Sequence, residues 1–90
     1  MSDRISGLIN RLDDIVANKS GLSQDQIGSY IVGETIAVEG MEKLYAKYPL
    51  VGEIAELGSD LEVETSPMHQ DRLLDEIKAK LASLKSELQE

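Results

Sequence analysis

The chain has a single histidine, His69, and it stands close to Thr65, Ser66 and Asp71. A hydroxyl, an imidazole and a carboxylate are the parts of a nucleophile–base pair for acyl transfer. That chemistry also needs an oxyanion hole and a sharp glycine-rich turn beneath the nucleophile, and the residues around Ser66 offer neither. His69 is therefore read as an exposed histidine in the first turn of a helix. Cysteine is absent, which removes thiolate nucleophiles, thiolate metal sites and disulfides. One histidine cannot supply the two Glu-x-x-His pairs of a di-iron bundle. Asp60-x-Glu62-x-Glu64 has the opening spacing of an EF-hand calcium loop. Thr65, however, stands where the turn demands glycine, and Asp71 takes the twelfth position in place of glutamate. Gly28 and Gly33 have the spacing of a phosphate-binding loop, but Glu34 follows where lysine is required. No catalytic, cofactor-binding or metal-binding residue is assigned, no cofactor is expected, and the chain is not expected to be an enzyme.

Glu34 fits its surroundings least. In a continuous helix it falls between Val38 and Met41 on an apolar face, where a carboxylate is costly unless paired or protonated. Three arrangements would relieve this. The helix breaks near Gly33 and turns Glu34 outward. Glu34 sits at the edge of the face and reaches solvent or a tyrosine hydroxyl. Or it is a functional carboxylate in a pocket.

The other notable charge is concentrated. The chain sums to −8 over 90 residues, from 17 acidic and 9 basic side chains. Residues 49–66 contain Glu53, Glu56, Asp60, Glu62 and Glu64 but no lysine or arginine. Glu53, Glu56 and Asp60 are three and four apart, so they share a helix face. Such a face is either solvated or a docking surface whose field speeds the approach of a basic partner. The overall acidity argues against binding nucleic acid, which requires a basic face, and against anionic membrane surfaces. No apolar run approaches the roughly 20 residues of a membrane span. The N-terminus lacks a signal-peptide core, so a cytoplasmic location is expected.

The apolar spacing supplies the frame for these residues. A chain of 9.9 kDa is expected to form one domain over residues 1–90 with one modest core. Ile5, Leu8, Ile9, Leu12, Ile15 and Val16 draw one helical stripe, predicting a helix from about residue 2 to 19. Gly21 beyond it suits a left-handed cap. Ser23 and Gln26 form a capping box, and helical pattern continues from about 23 to 46. There Ile27, Tyr30, Ile31, Val38, Met41, Tyr45 and Tyr48 share a face. Tyr48-Pro49 ends that helix, and Pro49 opens another, from about 49 to 61, striped by Leu50, Ile54, Leu57 and Leu61 and widened by Val51 and Ala55. Ser66-Pro67 opens the last, from about 66 to 88. Its 22 or so residues reach roughly 33 Å at 1.5 Å per residue, enough to span a compact domain or project from it. The predicted fold is all-α: a compact four-helix bundle with a long C-terminal helix.

Two further patterns point to association. Leu74, Ile77, Leu81, Leu84 and Leu88 alternate three and four apart, a heptad seam that serves either internal packing or a partner helix. Ser29, Gly33, Ala37 and Gly40 make a stripe of small residues. Each interior glycine costs about 1 kcal/mol of helix stability, so the stripe implies either close approach of another helix, from this chain or a second, or a break at Gly33. The function expected from these features is a small acidic helical adaptor or regulator. It would pair with itself as a homodimer or with another protein along the Leu74–Leu88 seam, steered by the acidic helix. The alternative is an acidic inhibitor that mimics nucleic acid with the carboxylates of residues 49–66.

Overall fold

The computed structural model describes residues 3–36 and 40–88. Five helices follow in order: α1 (Asp3–Ala17), α2 (Gln24–Thr35), α3 (Met41–Lys47), α4 (Pro49–Val63) and α5 (Pro67–Leu88). The fold is all-α, as expected, but the helix predicted over 23–46 is two helices. The cause is local. Ile31, Val32, Thr35 and Ile36 are β-branched and Gly33 interrupts them, so helix propensity is low there. Gly40 then adopts φ +80°, a left-handed conformation that a right-handed helix cannot contain. The last turn of α2 closes with the Ile36 N–H donating to the Val32 carbonyl at 2.8 Å. The Tyr45 hydroxyl of α3 donates to the Thr35 carbonyl at 2.6 Å. A tyrosine thus satisfies one of the carbonyls that a helix end leaves orphaned.

The other termini follow their sequence signals closely. After α1, Asn18 takes φ +52° and Gly21 φ +73°. The Asn18 side chain accepts from the Leu22 N–H at 2.6 Å and donates to the Leu22 carbonyl at 3.0 Å, clasping the turn. At the start of α2, the Ser23 N–H donates to Gln26 Oε1 at 3.1 Å, one arm of the expected capping box. The Ser23 hydroxyl donates to Asp25 Oδ1 at 2.7 Å. That bond holds the Asp25 carboxyl below its ordinary pKa. Ser2, expected inside the first helix, lies outside the described residues.

Helix α4 is the centre of the packing. α2 lies across one side of it, α5 along another, and the short α3 leans on its start; α1 closes the assembly over α2 and α5. The core takes Ile5, Leu8, Ile9 and Leu12 from α1, Ile27 and Ile31 from α2, and Met41 from α3. α4 gives Val51, Ile54, Ala55 and Leu61, and α5 gives Ile77, Leu81 and Leu84. Val51 and Ala55, expected to widen the stripe of α4, lie at its buried centre with Ile54 and Leu61, while Leu50 and Leu57 lie at its margin, half-buried. α5 runs nearly the length of a molecule measuring 38 × 24 × 21 Å. It spans the domain and does not project from it.

The tightest contact is where α2 crosses α4. A Cβ on Gly28 would meet the Glu62 backbone nitrogen at 2.5 Å and the Gly58 carbonyl at 2.7 Å. A Cβ on Gly58 would meet Ile31 Cγ2 at 2.5 Å. The two backbones touch because both helices carry glycine at the crossing, a use that offsets the cost of glycine inside a helix.

Candidate functional site

The acidic residues of α4, together with Glu64, which caps its C-terminus, fall into two groups. Glu56, Asp60 and Glu62 are exposed. Glu53 and Glu64 are engaged. Lys80 of α5 donates to Glu53 Oε1 at 2.6 Å, and this bond raises the Lys80 pKa above its ordinary value. Glu64 Oε2 accepts from the Thr65 and Ser66 backbone N–H groups, both at 3.1 Å. It therefore shapes the α4–α5 turn beside the positive end of α5.

His69 lies in the first turn of α5, its side chain 55% exposed and Nδ1 3.8 Å from Glu64 Oε2. No hydrogen bond among the described residues joins it to Thr65 or Ser66. Asp71 accepts from Gln24 Nε2 at 2.5 Å and does not orient the imidazole. The hydroxyl, imidazole and carboxylate that stand close in sequence are thus not assembled. No cluster of three or more His, Cys, Asp or Glu side chains among the described residues is placed to hold a metal ion. No helix among them is long and apolar enough to cross a membrane.

Glu34 occupies the edge of its helix face. α2 runs on through Gly33 to Thr35, so no break at Gly33 turns Glu34 outward. Its partner is Arg11 of α1, whose Nε donates to Glu34 Oε1 at 2.6 Å. No tyrosine is needed. This ion pair bridges one end of a groove of about 530 Å³ between α1 and α2, lined by Arg11, Asp14, Ile15, Ser29, Tyr30 and Gly33. Tyr30, expected on the core face, is 52% exposed. Ending α2 at Thr35 frees it from the face it shared with Tyr45 and Tyr48, which are half-buried around α3.

The predicted small-residue stripe is divided. Ser29 and Gly33 line the open groove, and a Cβ on Gly33 would meet nothing within 4 Å. Gly40 serves the left-handed turn before α3, and Ala37 lies outside the described residues. Within the chain, the close helix approach assigned to Ser29, Gly33 and Gly40 occurs at Gly28 and Gly58. The signal for Gly58 was present. Ile54, Gly58 and Leu61 are four and three apart, so this glycine lies in the buried stripe where a large side chain would otherwise stand.

The C-terminal seam is occupied from within. Ile77, Leu81 and Leu84 are 0%, 2% and 0% exposed. Leu74 and Leu88 pack at the margin of the same core. A partner helix would have to displace the chain's own α1, α2 and α4 to reach the middle of the seam. Beside it, α4 and α5 enclose a shallow channel. One stretch of about 440 Å³ is lined by Glu53, Glu56, Leu57, Ser59, Asp60 and Lys80. The next, about 310 Å³, is lined by Asp60, Val63, Glu64, His69, Arg72 and Leu73. Val63 is 73% exposed and Met68 71%, large apolar side chains at the α4–α5 turn that no other part of the domain covers.

Comparison of the chain with protein-family models, with curated proteins and with solved structures finds no match.

Proposed function

We propose that this protein is a small helical protein–protein interaction module that self-associates through the groove between α1 and α2. The observation that carries this reading is Gly33: a glycine in the last turn of α2 with open space over it, beside a half-exposed tyrosine. The packing that offsets the cost of Gly28 and Gly58 is inside the chain. For Gly33 it would be supplied from outside. Knob and hole are adjacent on one surface, so the surface is self-complementary. In a two-fold pair, Tyr30 from each copy enters the trough over Ser29 and Gly33 of the other. The rim has both signs of charge, Arg11 against Asp14 and Glu34, so like copies can meet there without facing like charge alone. The acidic face of α4 offers no such balance. This groove replaces the Leu74–Leu88 seam as the surface of association, because the seam's centre is already buried.

Light scattering or sedimentation across micromolar to millimolar concentration tests the reading. The wild-type mass should rise from 9.9 kDa toward twice that value. Gly33→Leu, which fills the trough, and Tyr30→Ser, which removes the knob, should stay monomeric with unchanged helicity. A wild-type protein that remains monomeric throughout, or a Gly33→Leu variant that dimerises normally, would overturn it.

A further inference from the structure

We propose that the channel between α4 and α5 is a docking site for a basic amphipathic helix of another protein, whose apolar anchor seats against Val63 and Leu73 and whose cations meet Glu56 and Asp60. The starting point is apolar surface. Val63 and Met68 are 73% and 71% exposed on either side of the α4–α5 turn. Val63 and Leu73 line one end of the channel, and Leu57 lines the other. Met68 lies four residues before Arg72, one helical turn away on the same side of α5. Asp60 borders both stretches, so together they make one line along the helix pair. From Glu53 to Glu64 it is roughly 17 Å long, about three turns of a third helix, at 1.5 Å per residue. A trough between two helices is a natural seat for an amphipathic helix.

Charge selects the occupant. Glu53, Glu56, Asp60 and Glu64 line the channel against Lys80 and Arg72. Lys80 is committed to Glu53 at 2.6 Å, which leaves Glu56 and Asp60 as the exposed carboxylates of that end with no ion pair among the described residues. Arg72 and His69 line the Val63 end. A partner's basic residues therefore belong beside Glu56 and Asp60, and its apolar anchor beside Val63. A second copy of this chain that met the channel with the same face would be a poor occupant, because it would bring its own carboxylates against these. An anionic membrane or a nucleic acid is repelled for the same reason. The site is distinct from the α1–α2 groove and goes beyond self-association.

The test uses the full chain and a synthetic helical peptide with leucines at three- and four-residue spacing and lysines elsewhere. Two controls accompany it: the same peptide with glutamate for lysine, and one with serine for leucine. Fluorescence anisotropy should show micromolar binding of the first peptide, weakened by added salt, and at least about tenfold weaker binding of both controls. Val63→Ser and the double variant Glu56→Gln/Asp60→Asn should each weaken the first peptide by about fivefold or more. Glu42→Gln on α3 and Glu87→Gln near the end of α5 should leave it unchanged. Equal binding of a control peptide, no binding at all, or an equal loss from Glu42→Gln would overturn the proposal. The measurement is repeated on Gly33→Leu. Peptide binding that survives while dimerisation is lost, or the reverse, separates this proposal from the self-association reading.

Discussion

At the scale of single residues, Tyr45 bears more weight than its position in a seven-residue helix suggests. Its hydroxyl donates to the Thr35 carbonyl at the end of α2, and burial raises its pKa above the ordinary phenol value. Tyr45→Phe leaves that carbonyl unsatisfied and should cost about 1 kcal/mol in denaturant unfolding. The same shift sets a pH dependence. A folded-state pKa above the unfolded one means that stability is fully present below the ordinary phenol pKa, about 10. It is lost as pH rises through the raised value. Lys80, raised by its bond to Glu53, adds to the loss in the same direction. Tyr45→Phe should therefore show a shallower alkaline decline than wild type, measured by melting temperature against pH; an identical decline would remove Tyr45 as its source. Asp25 acts at the other edge. Its depressed pKa gives a contribution present at neutral pH and lost as pH falls below the usual carboxylate range.

At the scale of helices, three glycines in similar sequence settings differ in what surrounds them. Gly28→Ala pushes a methyl into the backbone of α4 and should destabilise the fold by about 1–3 kcal/mol, the usual cost of overpacking. Gly58→Ala meets Cγ2 and Cβ of the buried, β-branched Ile31, which cannot swing aside, and should cost a similar amount. Gly33→Ala meets nothing and should stabilise the monomer through helix propensity, by less than the roughly 1 kcal/mol of a helix interior because it lies in the last turn of α2. Urea unfolding of the three variants checks the contrast between Gly33 and the other two, and a Gly28→Ala variant as stable as wild type would contradict the crossing. Much of the frame was legible beforehand. The apolar steps of α1, the prolines at 49 and 67 and the Ser23–Gln26 pair marked helix ends within a few residues. The division of α2 from α3 was half legible: the weak helix formers around Gly33 allowed a break, but its place beyond Thr35 depends on Gly40 taking a left-handed conformation, which the folded chain selects. The surfaces were partly legible: Glu53, Glu56 and Asp60 do share a face. Arg11 meeting Glu34, and Lys80 meeting Glu53, join residues 23 and 27 positions apart, and local spacing has no access to such pairs. The seam was visible as a pattern, but whether it faced inward or outward depended on where the other helices lay.

At the scale of the whole molecule, ion pairs tie the helices together against an adverse net charge. Arg11–Glu34 joins α1 to α2, Lys80–Glu53 joins α5 to α4, and Lys85–Asp13 joins α5 to α1, each at 2.6 Å. All are partly exposed, so solvent screens each of them and each contributes little to stability. The net charge of −8 opposes compaction over the entire surface. Screening should relieve that repulsion more than it weakens three solvated pairs. The melting temperature should thus rise as sodium chloride is raised from low to moderate concentration; a fall would mean that the ion pairs outweigh the repulsion. The α2–α4 crossing bears on how the molecule opens. Where side chains interdigitate, rotamers can relax step by step. Where Gly28 and Gly58 bring backbone against backbone, there is nothing to relax, and the contact is either seated or gone. Local openings that expose amides to solvent exchange will therefore begin at α3 and the outer turns of α1. The amides around the glycine crossing will exchange only when the entire domain comes apart.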